Sequence, residues 1–299
     1  MIHFLILIFK EIKMRQLKTI LFAGAVTFFL SACGGGGSSD SDTSVELVTI
    51  TEQNADAVVA SAIGSISSAV DIEDIPVLST TTSSVAKSNS IMTKYAKTLS
   101  TGFSPDIAAT ETIACSGGGS ITADGDEITG GTVTFNECVE PDGTIDGTMI
   151  LTIDGSNYTA EFINLKIQMH EIIVYYENAS MHFNENSTDL SLTITGYSTD
   201  GINRMDLKDY TASITGDNFS FNGFVKTNCI GAWVEVKTTQ ALVMPGYCPI
   251  SGEISILGNG SDIEIVFNSD ESVDVYLNGQ TYDNYSTCDE LPSLEETCP

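Results

Sequence analysis

Positive charge is what this sequence most lacks. Twelve Lys and Arg stand against 40 Asp and Glu, a formal net charge of −28. Nucleic-acid binding rests on neutralising phosphates with Lys and Arg, so the composition argues against that class, and against a body lying flat on anionic lipid. Histidine is almost as scarce. Apart from His3 there are only His170 and His182, and no Gly-x-Ser-x-Gly occurs, so a Ser-His-acid triad has little raw material. No Cys-x-x-Cys occurs either, which argues against redox catalysis and a zinc site. Beyond residue 30 no apolar run is long enough for a transmembrane helix. These absences leave a non-enzymatic, acidic, non-spanning body, with no cofactor or metal expected.

The one apolar run that is present lies at the start. MRQLK (14–18) supplies Arg15 and Lys18, TILFAGAVTFFL (19–30) is uncharged, and Leu30-Ser31-Ala32-Cys33 follows. A basic start, a short apolar core and small residues before a cut describe an export signal over residues 1–32, with Met14 expected as the true start. Twelve apolar residues are too few to cross a ~30 Å hydrocarbon core. Leu-Ser-Ala-Cys resembles the lipobox of bacterial lipoproteins. The resemblance implies that Cys33 carries lipid and becomes the first residue of the mature chain, which is then held at the membrane by its acyl chains. Gly34 after the cysteine, where the inner-membrane retention signal has Asp, implies the outer membrane. Residues 33–44, with four glycines and then SSDSDTS, are expected to form a tether of about 20 Å. The chain from Cys33 onward keeps eight Lys and Arg against 39 Asp and Glu, a net charge of −31 (8 − 39).

Six further cysteines follow, an even number in an oxidising compartment. Order along the chain and strand geometry predict the nearest-neighbour pairing: Cys115–Cys138, Cys229–Cys248 and Cys288–Cys298. The first pair centres a hairpin between Asp126 and Glu127, inside ADGDE. The second centres one between Thr238 and Thr239, with Val234 facing Val243.

Residues 45–110 predict a short strand (45–52), a helix (54–70), a Ser/Thr-rich linker (78–90) and a second weak helix (91–99). The first helix has Ala55, Val58, Val59, Ala62, Ile63, Ile66 and Ala69 on one stripe, with Thr51 or Asn54 as N-cap. Three basic residues, Lys87, Lys94 and Lys97, lie near the second helix. From residue 111 to 299 the pattern becomes apolar/polar alternation broken by Asp-Gly and Asn-Gly pairs. This predicts a mainly β domain of ten to twelve strands. The expected form is an antiparallel meander making an open curved sheet, a sandwich or a barrel, with the 54–70 helix on its apolar face. Some of those pairs lie too close together to be turns and must be strand glycines or bulges. The apolar phase changes from Tyr158/Ala160/Phe162 to Ile163/Leu165/Ile167/Met169, which predicts a bulge or corner. Residues 164–180 weakly resemble 209–225, at an offset of 45.

Four constellations bear on chemistry. Ser84-Val-Ala-Lys87 and Tyr176-Glu-Asn178 are similar to motifs of penicillin-binding enzymes, but no Lys-Thr-Gly or Lys-Ser-Gly accompanies them. Met169-His170 and Met181-His182 offer soft ligands if a hairpin near Tyr176 joins them, though strand ends near a turn explain them equally. ITADGDE, EPDGTID and NSDES offer oxygens, but none has the spacing of a calcium loop, and acidic turns are mostly solvated. Trp233, the single tryptophan, with Tyr175, Tyr176, Tyr282 and Tyr285, raises glycan or peptide binding against ordinary sheet packing. The expected function is therefore a non-catalytic envelope module, structural or binding, with an unknown protein or glycan partner. The alternative is a carrier holding an apolar ligand in a curved sheet.

Overall fold

A computed structural model describes residues 45–70, 110–126, 129–140, 143–169, 172–184, 187, 189–244 and 248–298. The expected signal, Cys33 and its tether, the 78–90 linker, the 91–99 helix with its three lysines, Ser84 and His170 lie outside the described residues.

Alternation becomes sheet throughout the second part of the chain. Helix α1 (Ala55–Val70) precedes fourteen strands: β1 (Glu111–Ala114), β2 (Gly118–Asp126), β3 (Gly130–Glu140), β4 (Gly143–Asp154), β5 (Asn157–Met169), β6 (Ile172–Asn184), β7 (Leu190–Thr199), β8 (Arg204–Thr215), β9 (Asn218–Thr227), β10 (Val234–Val243), β11 (Ser251–Leu257), β12 (Asp262–Phe267), β13 (Val273–Leu277) and β14 (Gln280–Tyr285). A 3-10 turn (Cys288–Glu290) and the short helix α2 (Leu294–Thr297) follow. Every strand pairs antiparallel with its neighbours in sequence, so the sheet is a single open meander in the order β1 to β14. The strands outnumber the ten to twelve expected, because glycine-bearing pairs separate strands in some places and lie within them in others. Asn278-Gly279 makes a two-residue hairpin between Leu277 and Gln280, as its residue types require. Asp124-Gly125, Asp146-Gly147 and Asn222-Gly223 are strand residues instead.

The core lies on one face. Leu151, Ala179, Met181, Leu192, Phe221, Val225, Val236, Ile254, Ile256, Ile263, Ile265 and Val275 pack there with Ala55, Val58, Val59, Ala62 and Ile66 of α1. The expected helical stripe is thus the buried one over its described side chains. Two serines that the stripe did not include are also buried: Ser61 bonds Thr227 at 2.8 Å and Ser65 bonds Tyr210 at 3.1 Å. Asn54 stands at the N-cap. Its carbonyl accepts from Val58 N, while its side chain accepts from Thr51 N at 2.7 Å and donates to the Thr49 carbonyl.

Residues 45–52 do not form the strand expected of them. Leu47 makes one parallel bridge to Trp233. Val48 N donates to the Trp233 carbonyl, Trp233 N to the Glu46 carbonyl, Asn259 N to the Val48 carbonyl and Ile50 N to Ser261 Oγ. The segment is gripped between two loops and, among the described residues, pairs with no strand beyond that one bridge.

Register slips recur at one level on successive strands. They fall between Phe135 and Cys138, Asp146 and Thr148, Tyr176 and Asn178, Ile194 and Gly196, Lys208 and Thr211, and Lys237 and Leu242. Each extra residue bends its strand, so the slips form a crease across the sheet. Glu137, Asn164 and Asp209 on the crease are left-handed, with φ of 45°, 49° and 49°. The phase change expected in β5 is the bulge at Asn164. The weak repeat corresponds to the β5–β6 and β8–β9 hairpins, which are entered at Asn164 and Asp209.

Two of the three expected disulfides are corrected. Cys115 pairs with Cys138 (Cα–Cα 5.4 Å), but Cys229 pairs with Cys298 (5.1 Å) and Cys248 with Cys288 (5.9 Å). The expected 229–248 hairpin does not exist. Thr238 and Thr239 are β-branched residues with no turn chemistry, and they lie inside the continuous strand β10. The 288–298 closure fails because the tail folds back: Leu294 of α2 approaches Gly64 of α1, which carries Cys298 to the loop holding Cys229. The hairpin register drawn from 115–138 also fails, although the pair itself forms. Asp126 faces Gly130, so the turn follows ADGD, and Cys115 sits in the β1–β2 turn and reaches across β2 to β3.

Candidate functional site

The inner and outer faces of β5 to β10 differ by one step of the pleat. On the inner face the directly paired residues are Leu165, Tyr176, Gly196, Leu207, Val225 and Val234, running from β5 to β10. All but the glycine are buried or packed against the core, and burial pushes the Tyr176 hydroxyl up to about 12. Successive side chains point to opposite faces, so the adjacent row points outward. It runs Lys166, Tyr175, Tyr197, Asp206 and Lys226. Trp233 ends it. The tryptophan immediately precedes Val234, whose partner Val225 precedes Lys226. On the other side Asp146 of β4 faces Lys166. At about 4.8 Å per strand, the span from Lys166 to Lys226 is about 19 Å.

The row is ordered by contacts. The rings of Tyr175 and Tyr197 lie 5.3 Å apart at 41°. The Tyr175 hydroxyl donates to Asn164 Oδ1 at 2.9 Å, which ties it to the crease. Arg204 lies with its guanidinium carbon 3.9 Å from the centre of the Tyr197 ring. Its Nε donates to Asp206 at 3.0 Å and its Nη2 at 2.6 Å. A planar guanidinium suits both the bidentate pair and the ring. Arg204 is half exposed at 50% and Asp206 less so at 22%. The five Lys and Arg of residues 110–299 are Lys166, Arg204, Lys208, Lys226 and Lys237. All five project from this outer face, since each lies next to a buried or core-packed neighbour on its strand or shares the parity of one that does. These are the basic residues of that part of the chain, and they share the face with carboxylates, among them Asp146, Asp206 and Glu235.

The other candidates separate. Met181 is buried, and His182 points outward, where its Nδ1 lies 2.9 Å from Thr159 Oγ1. The β5–β6 hairpin turns after Met169, which faces Ile172, so His182 lies far along the strand from it. A soft-metal site centred on Tyr176 is thereby overturned, because that residue is mid-strand. Tyr176 faces the core while Asn178 neighbours the crease, and Ser84 lies outside the described residues. In the 268–272 turn several oxygens hydrogen-bond to neighbouring side chains. Asn268 donates to Asp274 and Ser272, Ser272 donates to Asp270, and Asn284 donates to Asp274. Among the described residues, Cys248, Cys288 and Asp289 place possible ligand atoms within 4.8 Å of one another, but the two sulfurs are joined to each other. Tyr282 and Tyr285 pack against the core on the α1 side, with the Tyr282 hydroxyl 3.0 Å from Asp56 Oδ1.

Of the aromatics singled out in the sequence, the structure brings Tyr175 and Trp233 to one face and sends Tyr176 to the other. Tyr197, Arg204, Asp206, Lys166 and Lys226 were missed. The only local signal for them is a polar or aromatic residue at the outward phase of alternation. Three disulfides suggest an extracellular or periplasmic protein. No helix among the described residues is long and apolar enough to cross a membrane. No protein-family profile, curated protein or solved structure matches the chain.

Proposed function

We propose that this chain is an exported protein, anchored by lipid on Cys33 to the outer membrane, whose β body is a non-catalytic envelope module that binds a partner. The lipobox-like Leu30-Ser31-Ala32-Cys33 supports the anchor, and the three disulfides fit an oxidising compartment.

One observation favours a module over a carrier. Helix α1 packs on the apolar face that a carrier would keep open, against β8 and β9, with Ala55, Val58 and Ala62 fully buried and Ser61 and Ser65 bonded to the sheet. A ligand-carrying sheet needs a lined cavity of roughly 300–1,000 Å³. The chemistry left for a partner lies on the outward face.

Two measurements test this. Cys33→Ser is expected to move the protein from the membrane to the soluble fraction and to remove the acyl mass from its N-terminal peptide. Unchanged fractionation and mass defeat the anchor. Native mass spectrometry of protein taken from its own membrane is expected to show the polypeptide and its N-terminal acyl groups alone. A stoichiometric apolar adduct that is not covalently attached restores the carrier.

A further inference from the structure

We propose that the outward row from Lys166 to Trp233 binds an acidic glycan, a polysaccharide strand whose sugars carry carboxylates. The inference deepens the binding role given above and rests on it for the compartment in which such a ligand is met.

Three features of the row select this chemistry. Its rings are amphipathic. Tyr175, Tyr197 and Trp233 are partly buried, and such rings combine apolar surface, on which the C–H faces of sugars can lie, with polar tips, although Arg204 takes one face of Tyr197 and Asn164 the Tyr175 hydroxyl. Its cations are spaced along the row, with Lys166 near one end, Arg204 in the middle and Lys226 beside the tryptophan. Arg204 is held in place beforehand. Asp206 engages its Nε and one Nη2 proton and Tyr197 carries its plane, so the rest of its donors are presented without the entropy cost of ordering a long side chain.

The third feature decides between polyanions. Asp146 faces Lys166 and Asp206 faces Lys226 within the same row, and Glu235 lies near Lys226 and Lys237. These carboxylates oppose a polyphosphate or nucleic-acid backbone, which offers them no donors. A sugar chain supplies hydroxyls that donate to the carboxylates while its own carboxylates meet Lys and Arg. Alternating acceptors, donors and rings therefore fit a hydroxyl-rich acidic chain better than a phosphate chain. The basic residues of 110–299 lie on this face, so the carboxylates of such a ligand meet cations here, and the acidity of the chain makes the interaction depend on close pairing and not on a long-range field. The competing reading is that the row is only cross-strand pairing, of the kind that stabilises any wet sheet face.

The test uses the full lipidated protein in neutral detergent, titrated calorimetrically with oligogalacturonate, with dextran fragments of matched length and with polyphosphate. Oligogalacturonate is expected to bind, and to bind more weakly as salt rises. Dextran and polyphosphate are expected to bind at least tenfold more weakly. Tyr197→Ala and Trp233→Ala should each weaken oligogalacturonate tenfold or more, and Tyr197→Phe less than threefold. Lys166→Gln and Lys226→Gln change outward side chains, so they keep the test open if a ring deletion unfolds the sheet. Each should weaken binding and flatten its salt dependence, with the melting temperature unchanged. Tyr282→Phe on the α1 side should change nothing. No binding of oligogalacturonate, equal binding of polyphosphate or dextran, or indifference to the lysine changes overturns the proposal. None of those outcomes alters the fractionation of Cys33→Ser, so the anchored-module reading stands or falls separately.

Discussion

Ser65 Oγ and Tyr210 Oη lie 3.1 Å apart between α1 and β8, both fully buried, and Ser65 also bonds the Ala62 carbonyl at 2.6 Å. Desolvation pushes the tyrosine hydroxyl strongly upward, so it stays neutral at any ordinary pH. With Ser61–Thr227, the pair ties the helix to the sheet at two points. Tyr210→Phe is expected to cost about 1 kcal/mol, the usual net worth of one hydrogen bond. Ser65→Ala should cost about 1–3 kcal/mol, because it strands the tyrosine hydroxyl. The double variant should cost less than the sum, and denaturant unfolding of all four proteins measures the coupling.

Peptide mapping of the unreduced protein should recover Cys229–Cys298 and Cys248–Cys288 links. Recovery of Cys229–Cys248 would return the pairing drawn from sequence order. The 229–298 bridge closes the longest loop, with a sequence separation of 69 against 23 for 115–138. The chain-entropy account puts the longer closure at roughly 4 kcal/mol and the shorter at roughly 3. The Cys229→Ser/Cys298→Ser protein is expected to melt lower than Cys115→Ser/Cys138→Ser, and its α2 segment to become the first site of proteolytic cleavage.

Gly147 sits on the crease with φ of 122°, and a side chain there would meet the Asn164 carbonyl and lie 2.6 Å from Leu165 Cα. Gly279, with φ of 73° in the β13–β14 turn, has open space where a side chain would go. Gly147→Ala therefore combines backbone strain with a clash against backbone that cannot yield, and should cost about 2 kcal/mol or more. Gly279→Ala carries the strain alone and should cost about 1 kcal/mol. Equal losses in thermal melting would show that the crease tolerates a side chain.

Burial raises the Glu264 carboxyl above its ordinary range, and Glu253 and Asp262 add repulsion. The folded protein therefore holds that proton more tightly than the unfolded chain does. Stability from this group is fully present below the ordinary value of 4.5 and is lost as pH rises through the raised value. Glu264→Gln should stabilise the protein at neutral pH, by about 0.5 kcal/mol or less for a partly exposed group. The gain should vanish below pH 4.5. A gain that persists in acid would assign the effect to packing.

Local patterns carried much of this fold. Period-two alternation, the Asn278-Gly279 turn, the α1 stripe and the bulge in β5 each depend on a few neighbouring residues, and each was readable. What required distant partners was not. Cys298 meets Cys229 only after the tail has crossed α1. The outward row depends on several registers in succession, and each slip at the crease moves the next residue by one place. Lys166 and Lys226 have no relation in the sequence that would put them in line. The buried serines were hidden for a different reason: hydroxyls satisfied across a helix–sheet contact look polar in a stripe count.

The grip on residues 46–50 has a mechanical consequence. Bonds to Trp233, Asn259 and Ser261 lie across the line of the segment, on two separate loops. Tension entering at Glu46 therefore shears several bonds together and does not peel them open one after another. A load drawn from the N-terminal side is passed to the β9–β10 and β11–β12 loops before it reaches α1. The helix that packs on β8 and β9 is thus shielded from a pull on the chain ahead of it until those bonds give way.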